Sequence, residues 1–496
     1  MSKDEILEAY FNIIYVGPNI YGVQSGSKYY FNKDVSELSL AECAFLAGIN
    51  NAPNTYNPFT EKDRTERIAN RTKTVLNKML ELKAIDSSEF EAAVAEVENG
   101  LNFNKGTFET KSNVYSYHTD ALINELIEDF SNKNLIPKEF ATNYFVLSKS
   151  TIYSTQDNKI QKIVSNEFSK KKYSITSSTN APATSQAAMV IIDQTNGQVL
   201  ACQGGLGEKT TSRGLNRATQ SKRQTGSAIK PIAVLAPALE KNLITNSSMF
   251  YDKLTTFDDG TESGYSPTNY DGYLGYIPLR KAVETSQNIP FVYIMEDLTP
   301  KTSIKYLKKM GISTLVNDDE NLALALGGLV EGMTPLEFAA AYATIANDGI
   351  YIEPTFYTNV VSSDNEIILQ TSQKKRKVFS SSTAYLLKEL LTQPVTGTKG
   401  TATYCAIPNM EVAAKTGTTN ENYDRWLCGF TPYYTAVTWY GYDLNESINY
   451  NGKNPAGLIW SAVMKDIHSG LSKKNFQAPN NVVSTKICAK SRKSCY

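Results

Sequence analysis

The chain is poor in residues that many hydrolytic and metal sites require. Only two of its 496 residues are histidine, His118 and His468, which argues against a zinc site and against a Ser-His-Asp triad. The six cysteines are widely spread and include no Cys-x-x-Cys pair, so they indicate neither a metal cluster nor a disulfide framework. Cys488 and Cys495 are close enough in sequence to close a small loop, although free thiols are favoured. A serine with catalytic chemistry would need another base, and lysine fits.

Long apolar runs and an excess of charge are also missing. No run approaches the roughly 18 residues that cross a bilayer, and the first residues do not read as a signal peptide. Fifty basic and fifty acidic residues cancel, so nothing indicates a nucleic acid or polyelectrolyte partner. Hydrophobic residues make up 41% of the chain, enough for the cores of several domains. Taken alone, this composition predicts a globular protein that stays in the cytoplasm.

One short stretch places a serine, an amine and a helix start together. Proline is tolerated in the first turn of a helix, so Pro231, preceded by the break at Gly226, predicts a helix that begins close to Ser227. The helix start directs free backbone N–H groups towards the Ser227 hydroxyl. Lys230, three residues on, lies on the same face at about 5–6 Å between Cβ atoms. In a dry pocket, or near a second cation, such an amine loses its proton and can activate the serine.

Two later motifs strengthen this hypothesis, because Ser-x-x-Lys alone is a weak signal. Two other pairs fit the spacing in solvated polar segments: Ser169 with Lys172, and Ser372 with Lys375. However, Ser286-Gln287-Asn288 and then Lys415-Thr416-Gly417-Thr418 follow downstream, in the order found in penicillin-interacting serine enzymes. Lys-Thr-Gly occurs once and follows an apolar run at 410–414 that predicts a strand.

Apolar segments predict strands in two distant parts of the chain. Residues 188–202 read as a hairpin with Asn-Gly at its turn, and residues 426–441 read as a second hairpin. Helices between them predict one antiparallel sheet that is assembled from distant segments and covered by helices. The polar loop at 258–275 suits either the wall of a groove or a surface loop. Residues 323–349 read as a loop and a buried helix of mostly structural importance.

The first 95 residues open with apolar residues at helical spacing and no cap. They resemble the second half of the peptidoglycan glycosyltransferase domain in several stretches: Lys3–Asn12, Tyr21–Gly26, Leu38–Gly48, Ala52–Pro58 and Arg71–Met79. The resemblance places the two catalytic glutamates of that family upstream of this helix. It therefore implies a truncated domain without glycosyltransferase activity, in which Glu8 is an ordinary surface residue of a helix.

Together with the Ser227, Ser286 and Lys415 motifs, this makes almost the whole chain resemble a class A, bifunctional penicillin-binding protein. The resemblance implies a multidomain architecture. An α-helical glycosyltransferase remnant at 1–95 and a linker region at 96–180 precede an α+β serine transpeptidase domain at 181–470, whose central antiparallel sheet is covered by helices. A tail follows at 471–496.

The resemblance also implies the roles of the motif residues. Ser227 would be the acylated nucleophile, Lys230 its general base, and Ser286 a proton relay to the leaving group. The remaining residues would bind substrate: Asn288 through the peptide backbone, Lys415, Thr416 and Thr418 through the terminal carboxylate of D-Ala-D-Ala or of a β-lactam, and Gly417 by allowing close approach. Backbone N–H groups of Ser227 and Thr418 would form an oxyanion hole. No cofactor or metal is expected.

The implied substrates are peptidoglycan stem peptides with an amine acceptor, and β-lactams as inhibitors. Cell-wall synthesis proteins are candidate partners, and nucleic acid is not. The family works on the outer face of the cytoplasmic membrane, whereas this chain shows no anchor, which predicts a start at an internal methionine or a truncated gene. Two alternatives stay open: a D,D-carboxypeptidase or β-lactamase-like hydrolase, and a non-catalytic remnant that acts as a scaffold.

Overall fold

The computed structural model describes residues 3–17, 20–106, 114–148, 150–450 and 452–485. The first third of the chain is mainly helical, in the order α1 (Lys3–Ile13), β1 (Tyr15–Gly17), β2 (Ile20–Tyr21), α2 (Val23–Phe31), α3 (Leu40–Ile49), α4 (Thr65–Glu81), α5 (Ser87–Glu98), α6 (Tyr117–Asn134), α7 (Lys138–Leu147), β3 (Thr151–Ser154) and α8 (Asn158–Phe168).

The rest of the chain contains both strands and helices. They follow as β4 (Gln186–Asp193), β5 (Gln198–Gln203), α9 (Arg217–Gln220), α10 (Ala236–Glu240), β6 (Met249–Asp252), β7 (Gly275–Pro278), α11 (Leu279–Thr285), α12 (Ile289–Leu298), α13 (Pro300–Lys309), α14 (Pro335–Ala346), β8 (Ile350–Ile352), β9 (Tyr357–Val361), β10 (Ile367–Gln370), β11 (Lys375–Lys377), α15 (Ser381–Thr396), β12 (Ala413–Thr418), β13 (Asp424–Phe430), β14 (Thr435–Gly441) and α16 (Pro455–Ile467).

The chain forms two compact units, and the first comprises Met1–Asn113, Ile127–Thr151 and Ser362–Asn365. Capping boxes fix two of its helix starts: Ser39 with Glu42 opens α3, and Asp86 with Glu89 opens α5, each satisfying backbone N–H groups that the helix leaves unpaired. One core cluster is aromatic and centres on Tyr30, Phe31 and Phe45. A second, aliphatic cluster lies among α3, α4 and α5. The helical character predicted for the first 95 residues is confirmed.

The second unit comprises Val114–Leu126, Ile152–Val361 and Glu366–Tyr496, and a five-stranded sheet forms its centre. The strand order is β12-β13-β14-β4-β5, and every neighbouring pair is antiparallel. Consecutive strands pair within each hairpin, and the pairing of β14 with β4 joins segments that are about 250 residues apart in the chain. The predicted antiparallel sheet, assembled from distant segments, is confirmed.

Helices cover both faces of this sheet, which explains why strands such as β4 are apolar on both sides. On one face α8 and α16 pack in a cluster with Met189, Leu427 and Trp460. On the other face α14 packs against β13, where Phe338 meets Trp426 edge to face at 5.3 Å. Trp426 pairs in register with Trp439, so the two rings share this second face.

Two local expectations differ in detail from the structure. The strand expected at 410–414 begins only at Ala413 and runs through the Lys-Thr-Gly motif to Thr418. The helix expected to start near Ser227 begins as a 3-10 turn at Gly226–Ile229 and passes through a π-helical stretch at Pro231–Leu235. The predicted boundaries at 95, 180 and 470 stay predictions, and the two compact units divide the chain at other points.

Two further findings concern the apolar length of the helices and the cysteines. Within the described residues no helix is long and apolar enough to span a membrane. Cys43, Cys202, Cys405 and Cys428 are free thiols, and all but Cys43 are buried. Cys488 and Cys495, which are close enough in sequence to close a small loop but for which free thiols are favoured, lie outside the described residues.

Candidate active site

Ser227 lies in the 3-10 turn that follows β5 and α9 in the chain. Gly226 opens the turn with a φ of +51°, and a Cβ at this position would lie 2.3 Å from the Thr418 carbonyl oxygen. Glycine is therefore needed both for the backbone conformation and for the close approach to β12. The Ser227 side chain is half-buried, and its hydroxyl has no hydrogen-bond partner in the part of the chain that the structure describes.

Lys230 is completely buried, and its amine meets the segment that joins α11 to α12. Its Nζ donates to the carbonyl oxygens of Ser286 at 2.9 Å and Gln287 at 2.8 Å, and to Asn288 Oδ1 at 2.7 Å. The Phe291 ring lies 4.6 Å away. A neutral amine has only two N–H donors and a lone pair, so in its neutral form Lys230 donates to two of these three oxygens and keeps a lone pair that can accept a proton.

Electrostatics favour this neutral form. Burial lowers the pKa of Lys230 well below its ordinary value, and the charge of Lys415 lowers it further, while Asp252 opposes the shift. The second cation invoked from the sequence is therefore present, but burial is the larger cause.

Ser286 contacts both lysines. It ends α11 in the left-handed conformation, with φ +61°, which non-glycine residues rarely adopt and which is found more often at functional sites. Its Oγ accepts a hydrogen bond from Lys415 Nζ at 2.7 Å, and its carbonyl oxygen accepts one from Lys230 Nζ at 2.9 Å. The strained turn thus presents one oxygen atom to each amine.

Lys415 lies on β12, an edge strand of the sheet, opposite Cys428 on β13. Only 1% of its side chain is exposed. Besides its contact with Ser286, its Nζ donates to the Thr416 carbonyl oxygen at 2.9 Å. Burial lowers the pKa of Lys415 to about 7, so an arriving carboxylate would favour its charged form.

The other residues of the Lys-Thr-Gly motif point in different directions. The Thr416 hydroxyl donates to Thr401 Oγ1 at 3.0 Å, and the Thr418 side chain is exposed. A Cβ on Gly417 would lie 2.6 Å from the Thr225 carbonyl oxygen. The structure therefore explains this glycine by the contact between β12 and the Ser227 turn, and room for a substrate stays a prediction.

Asn288 has both ends of its amide in use. Its Oδ1 accepts from Lys230, and its Nδ2 donates to the Thr268 carbonyl oxygen at 2.6 Å. One N–H of the amide is left for a substrate backbone, so the predicted binding role stays a prediction. Thr268 belongs to the polar loop at 258–275, which thus lies against the site.

The structure brings the three motifs together: the Ser227 turn meets β12, Lys230 meets Ser286 and Asn288, and Lys415 meets Ser286. The sequence alone did not indicate which residues bind the segment at 223–226, directly before Ser227. The Arg223 Nε donates to Asp424 Oδ1 at 2.7 Å, and the Trp426 Nε1 donates to the Gln224 carbonyl oxygen at 2.7 Å. These contacts fasten the segment to β13.

A loop at 327–333 holds the same segment from a second side. Arg223 and Met333 exchange backbone hydrogen bonds of 3.0 and 2.9 Å. The Leu329 N–H donates to Gln224 Oε1 at 2.9 Å, and the Gln224 Nε2 donates back to the Leu329 carbonyl oxygen. Sequence analysis interpreted this loop as mostly structural. The available signal was its glycines, Gly327, Gly328 and Gly332.

Comparison with known proteins identifies the class. The family described as "Penicillin binding protein transpeptidase domain" matches residues 187–465, and the family described as "Transglycosylase" matches residues 1–80. The chain therefore belongs to the penicillin-binding proteins, and the combination of the two domains places it in class A.

Individual relatives agree with this assignment. Penicillin-binding protein 1A of Clostridium botulinum (strain Langeland) is 34% identical over 98% of this chain and 60% of the relative. Penicillin-binding protein 1F of Bacillus subtilis is 33% identical, covering 97% and 64%, and penicillin-binding protein 1A of Clostridium perfringens (strain 13) is 31% identical, covering 96% and 72%. The chain thus spans 60% of the length of the Clostridium botulinum relative.

Solved structures share the fold. The crystal structure of penicillin-binding protein 1A from Haemophilus influenzae has a TM-score of 0.66 and 22% identity, covering 98% of this chain and 89% of that one. The PonA1 protein from Mycobacterium tuberculosis, in complex with penicillin V, has a TM-score of 0.62 and 24% identity, covering 73% and 96%. The predicted fold class is confirmed.

Replacing Gly327 with alanine is expected to slow acylation by penicillin. Gly327 has a φ of +88°, and a Cβ there would lie 2.3 Å from the carbonyl oxygen of Gly226, the residue next to Ser227. The backbone must shift, and a misplacement near 1 Å costs about a hundredfold in rate. The rate of adduct formation measures this.

Gly470→Ala is the matched control, because Gly470 has a φ of +85° and nothing lies within 4 Å of the added Cβ. Both variants are expected to lose about 1–3 kcal/mol of stability through backbone strain, but only Gly327→Ala should lose acylation rate. Equal rates of adduct formation in the two variants would contradict the role of the Gly327–Gly226 contact in placing Ser227.

The pKa of Lys415 predicts a pH dependence of stability. It falls from an ordinary 10.5 to about 7 in the folded chain, so between these values the unfolded chain binds a proton that the folded chain does not. The free energy of unfolding therefore falls as pH drops from 10.5 to about 7. Lys415→Met removes this contribution, so its stability relative to the wild type should rise as pH drops from 9.5 to 7 in urea unfolding. A difference that does not change with pH would refute the assignment.

Proposed function

We propose that this chain is a serine-type D-Ala-D-Ala transpeptidase that crosslinks stem peptides through an acyl-enzyme on Ser227. The observation that carries the proposal is the completely buried Lys230 amine, three residues after Ser227, with a lowered pKa and three hydrogen bonds to the Ser286–Asn288 segment. Such an amine supplies the base that the chain's two histidines, both engaged elsewhere, do not.

In the acylation step the Ser227 Oγ attacks the carbonyl carbon of the penultimate D-Ala. The Ser227 proton passes to Lys230, and the tetrahedral intermediate expels the terminal D-Ala. The proton that Lys230 took from Ser227 passes through the Ser286 hydroxyl, which lies 2.7 Å from Lys415 Nζ, to the amine of the departing D-Ala, and Lys230 is neutral again. An ester on Ser227 results. An amine of a neighbouring stem then attacks this ester, forms the new amide and returns the proton to Ser227.

The substrate's charges are met by β12. Lys415, with Thr416 and Thr418, holds the terminal carboxylate, and Asn288 holds the peptide backbone. The backbone N–H groups of Ser227 and Thr418 stabilise the oxyanion, with about 3–4 kcal/mol of barrier per donor. The contact between Gly226 and Thr418 supports this pairing, because it brings the two segments together.

Incubation with a donor peptide ending in D-Ala-D-Ala and an amine acceptor tests the reaction. Mass spectrometry is expected to show the crosslinked product and released D-Ala. A donor that only loses D-Ala would indicate a D,D-carboxypeptidase, and penicillin turned over with rapid recovery of the free serine would indicate a β-lactamase. A folded protein that forms neither adduct nor product would be a non-catalytic scaffold.

Further proposals concern the inhibitors, the cellular location and the partners of this chain. We propose β-lactams as inhibitors and the outer face of the cytoplasmic membrane as the working site, supported by membership of the family. Cell-wall synthesis proteins are the candidate partners. The expected lack of glycosyltransferase activity stays a prediction, which polymerisation of lipid II would overturn.

A further inference from the structure

The hairpin of β6 and β7 directs one carboxylate inwards. Phe250 pairs with Ile277, and Asp252 pairs with Gly275. Because side chains alternate along a strand, Asp252 lies on the same face as the buried Ile277, while Tyr251 is exposed on the other face. Asp252 itself is completely buried.

Two N–H groups solvate the Asp252 carboxylate. Its Oδ1 accepts from Asn269 Nδ2 at 2.7 Å, and its Oδ2 accepts from the Leu274 backbone at 2.8 Å. No cation within ion-pairing distance appears among the described residues. Burying a carboxylate without a cation costs free energy. Local stability therefore does not explain why a carboxylate occupies this position.

Asn269 connects this carboxylate to the active site. Its Oδ1 accepts from the Asn288 backbone N–H at 2.7 Å and from the Ile289 N–H at 3.4 Å, at the start of α12. With two N–H groups facing its oxygen and a carboxylate facing its nitrogen, the amide has one satisfactory orientation. Asn269 therefore fixes the backbone of Asn288, whose side chain accepts from Lys230 at 2.7 Å.

We infer that Asp252 and Asn269 are positioning residues for the general base, which act on Lys230 through Asn288. The inference rests on the proposed acyl-enzyme function. It assigns the polar loop at 258–275, which the sequence left between a groove wall and a surface loop, a part in aligning the amine with Ser227.

Charge adds a second effect to the positioning. The charged groups that act on Lys230 are Lys415 from β12 and Asp252 from β6, and the Phe291 ring of α12 covers the amine. Asp252 raises the pKa of Lys230 against burial and Lys415. It therefore limits how far the amine's basicity falls, and a base that remains basic accepts the serine proton more readily.

The test compares three variants of the whole chain in benzylpenicillin acylation, followed by intact-mass spectrometry as a function of pH. Asn269→Ala is expected to lower the plateau rate by about tenfold to a hundredfold, since the amine is no longer held in place. Asp252→Asn is close in shape and is expected to move the acidic limb of the profile to lower pH, because a negative charge near Lys230 is lost. A merely structural role would not move this limb.

Asn216→Ala is the control. Asn216 is likewise buried and bridges two segments, accepting from the Ala218 N–H and donating to the Tyr117 carbonyl oxygen, each at 3.1 Å. Asn216→Ala should lower thermal stability and leave the plateau rate and the acidic limb unchanged.

Wild-type profiles in Asn269→Ala and Asp252→Asn would overturn the inference. If Asn269→Ala does not fold, the position of the acidic limb in the pH profile of Asp252→Asn decides whether the inference stands. A wild type without an adduct on Ser227 would instead overturn the proposed function.

Discussion

The Ser227→Ala variant is expected to take up no benzylpenicillin, whereas the wild type gains the mass of one penicilloyl group. The reason is that the proposed adduct is an ester of the Ser227 hydroxyl, and alanine has no atom that can form it. Substitution of a half-buried serine that has no hydrogen-bond partner among the described residues should leave the fold intact. Intact-mass spectrometry measures the uptake, and peptide mapping locates it.

The chain contains its own matched controls for this experiment. Ser169 and Ser372 are also followed three residues later by a lysine, but Ser169 is exposed at the end of α8 and Ser372 lies outside the helices and strands. Ser169→Ala and Ser372→Ala should therefore be labelled at the wild-type rate. Labelling that persists in Ser227→Ala would refute the nucleophile, and a folded wild type without any adduct would favour the scaffold.

The Lys230→Met variant is expected to be acylated about 10²–10⁴-fold more slowly, the range that general base catalysis contributes. Methionine is similar in length and apolar, so it suits the buried position without supplying a base. Because burial holds the pKa of Lys230 well below its ordinary value, the neutral amine that serves as the base forms at lower pH than in an exposed lysine. The variant should lose the acidic limb that Lys230 gives the pH profile.

Lys388→Met separates this loss from the general effect of removing a buried lysine. Lys388 is 4% exposed and pairs with Asp348, with 2.6 Å between Nζ and Oδ1. The substitution removes a buried amine together with its ion pair to the exposed Asp348 carboxylate, so this variant should unfold at lower temperature while its acylation rate stays unchanged. An equal loss of acylation in both lysine variants would contradict the role of Lys230 as base.

Much of the sheet was predictable because its strands carry local signals. The Asn-Gly turn between two apolar segments predicted β4 with β5, and the alternating residues around Trp426 and Trp439 predicted β13 with β14. The antiparallel arrangement also followed from these patterns. The site motifs were predictable for a different reason: a serine, its lysine and a helix start lie within five residues of one another.

The support around the site was not predictable in the same way. Gly327 and Met333 carry no chemistry of their own, and they matter because their backbone meets Gly226 and Arg223, about 100 residues earlier in the chain. Asn269 looked like one polar residue among many in a loop. Its importance depends on a buried carboxylate on β6 and a helix start on α12, and no local pattern records either contact.

By itself, the sequence determined which groups are available: a serine with an amine three residues on at the start of a helix, a second amine in a single Lys-Thr-Gly motif, two histidines, and apolar strands separated by turns. The tertiary structure decided what those groups experience. Folding buries Lys230 and Lys415, and this burial lowers the pKa of each amine. Folding also brings the two amines to the two oxygens of Ser286. The physical reason is that desolvation and proximity are properties of a three-dimensional arrangement, whereas the chain order fixes only residue types and their spacing.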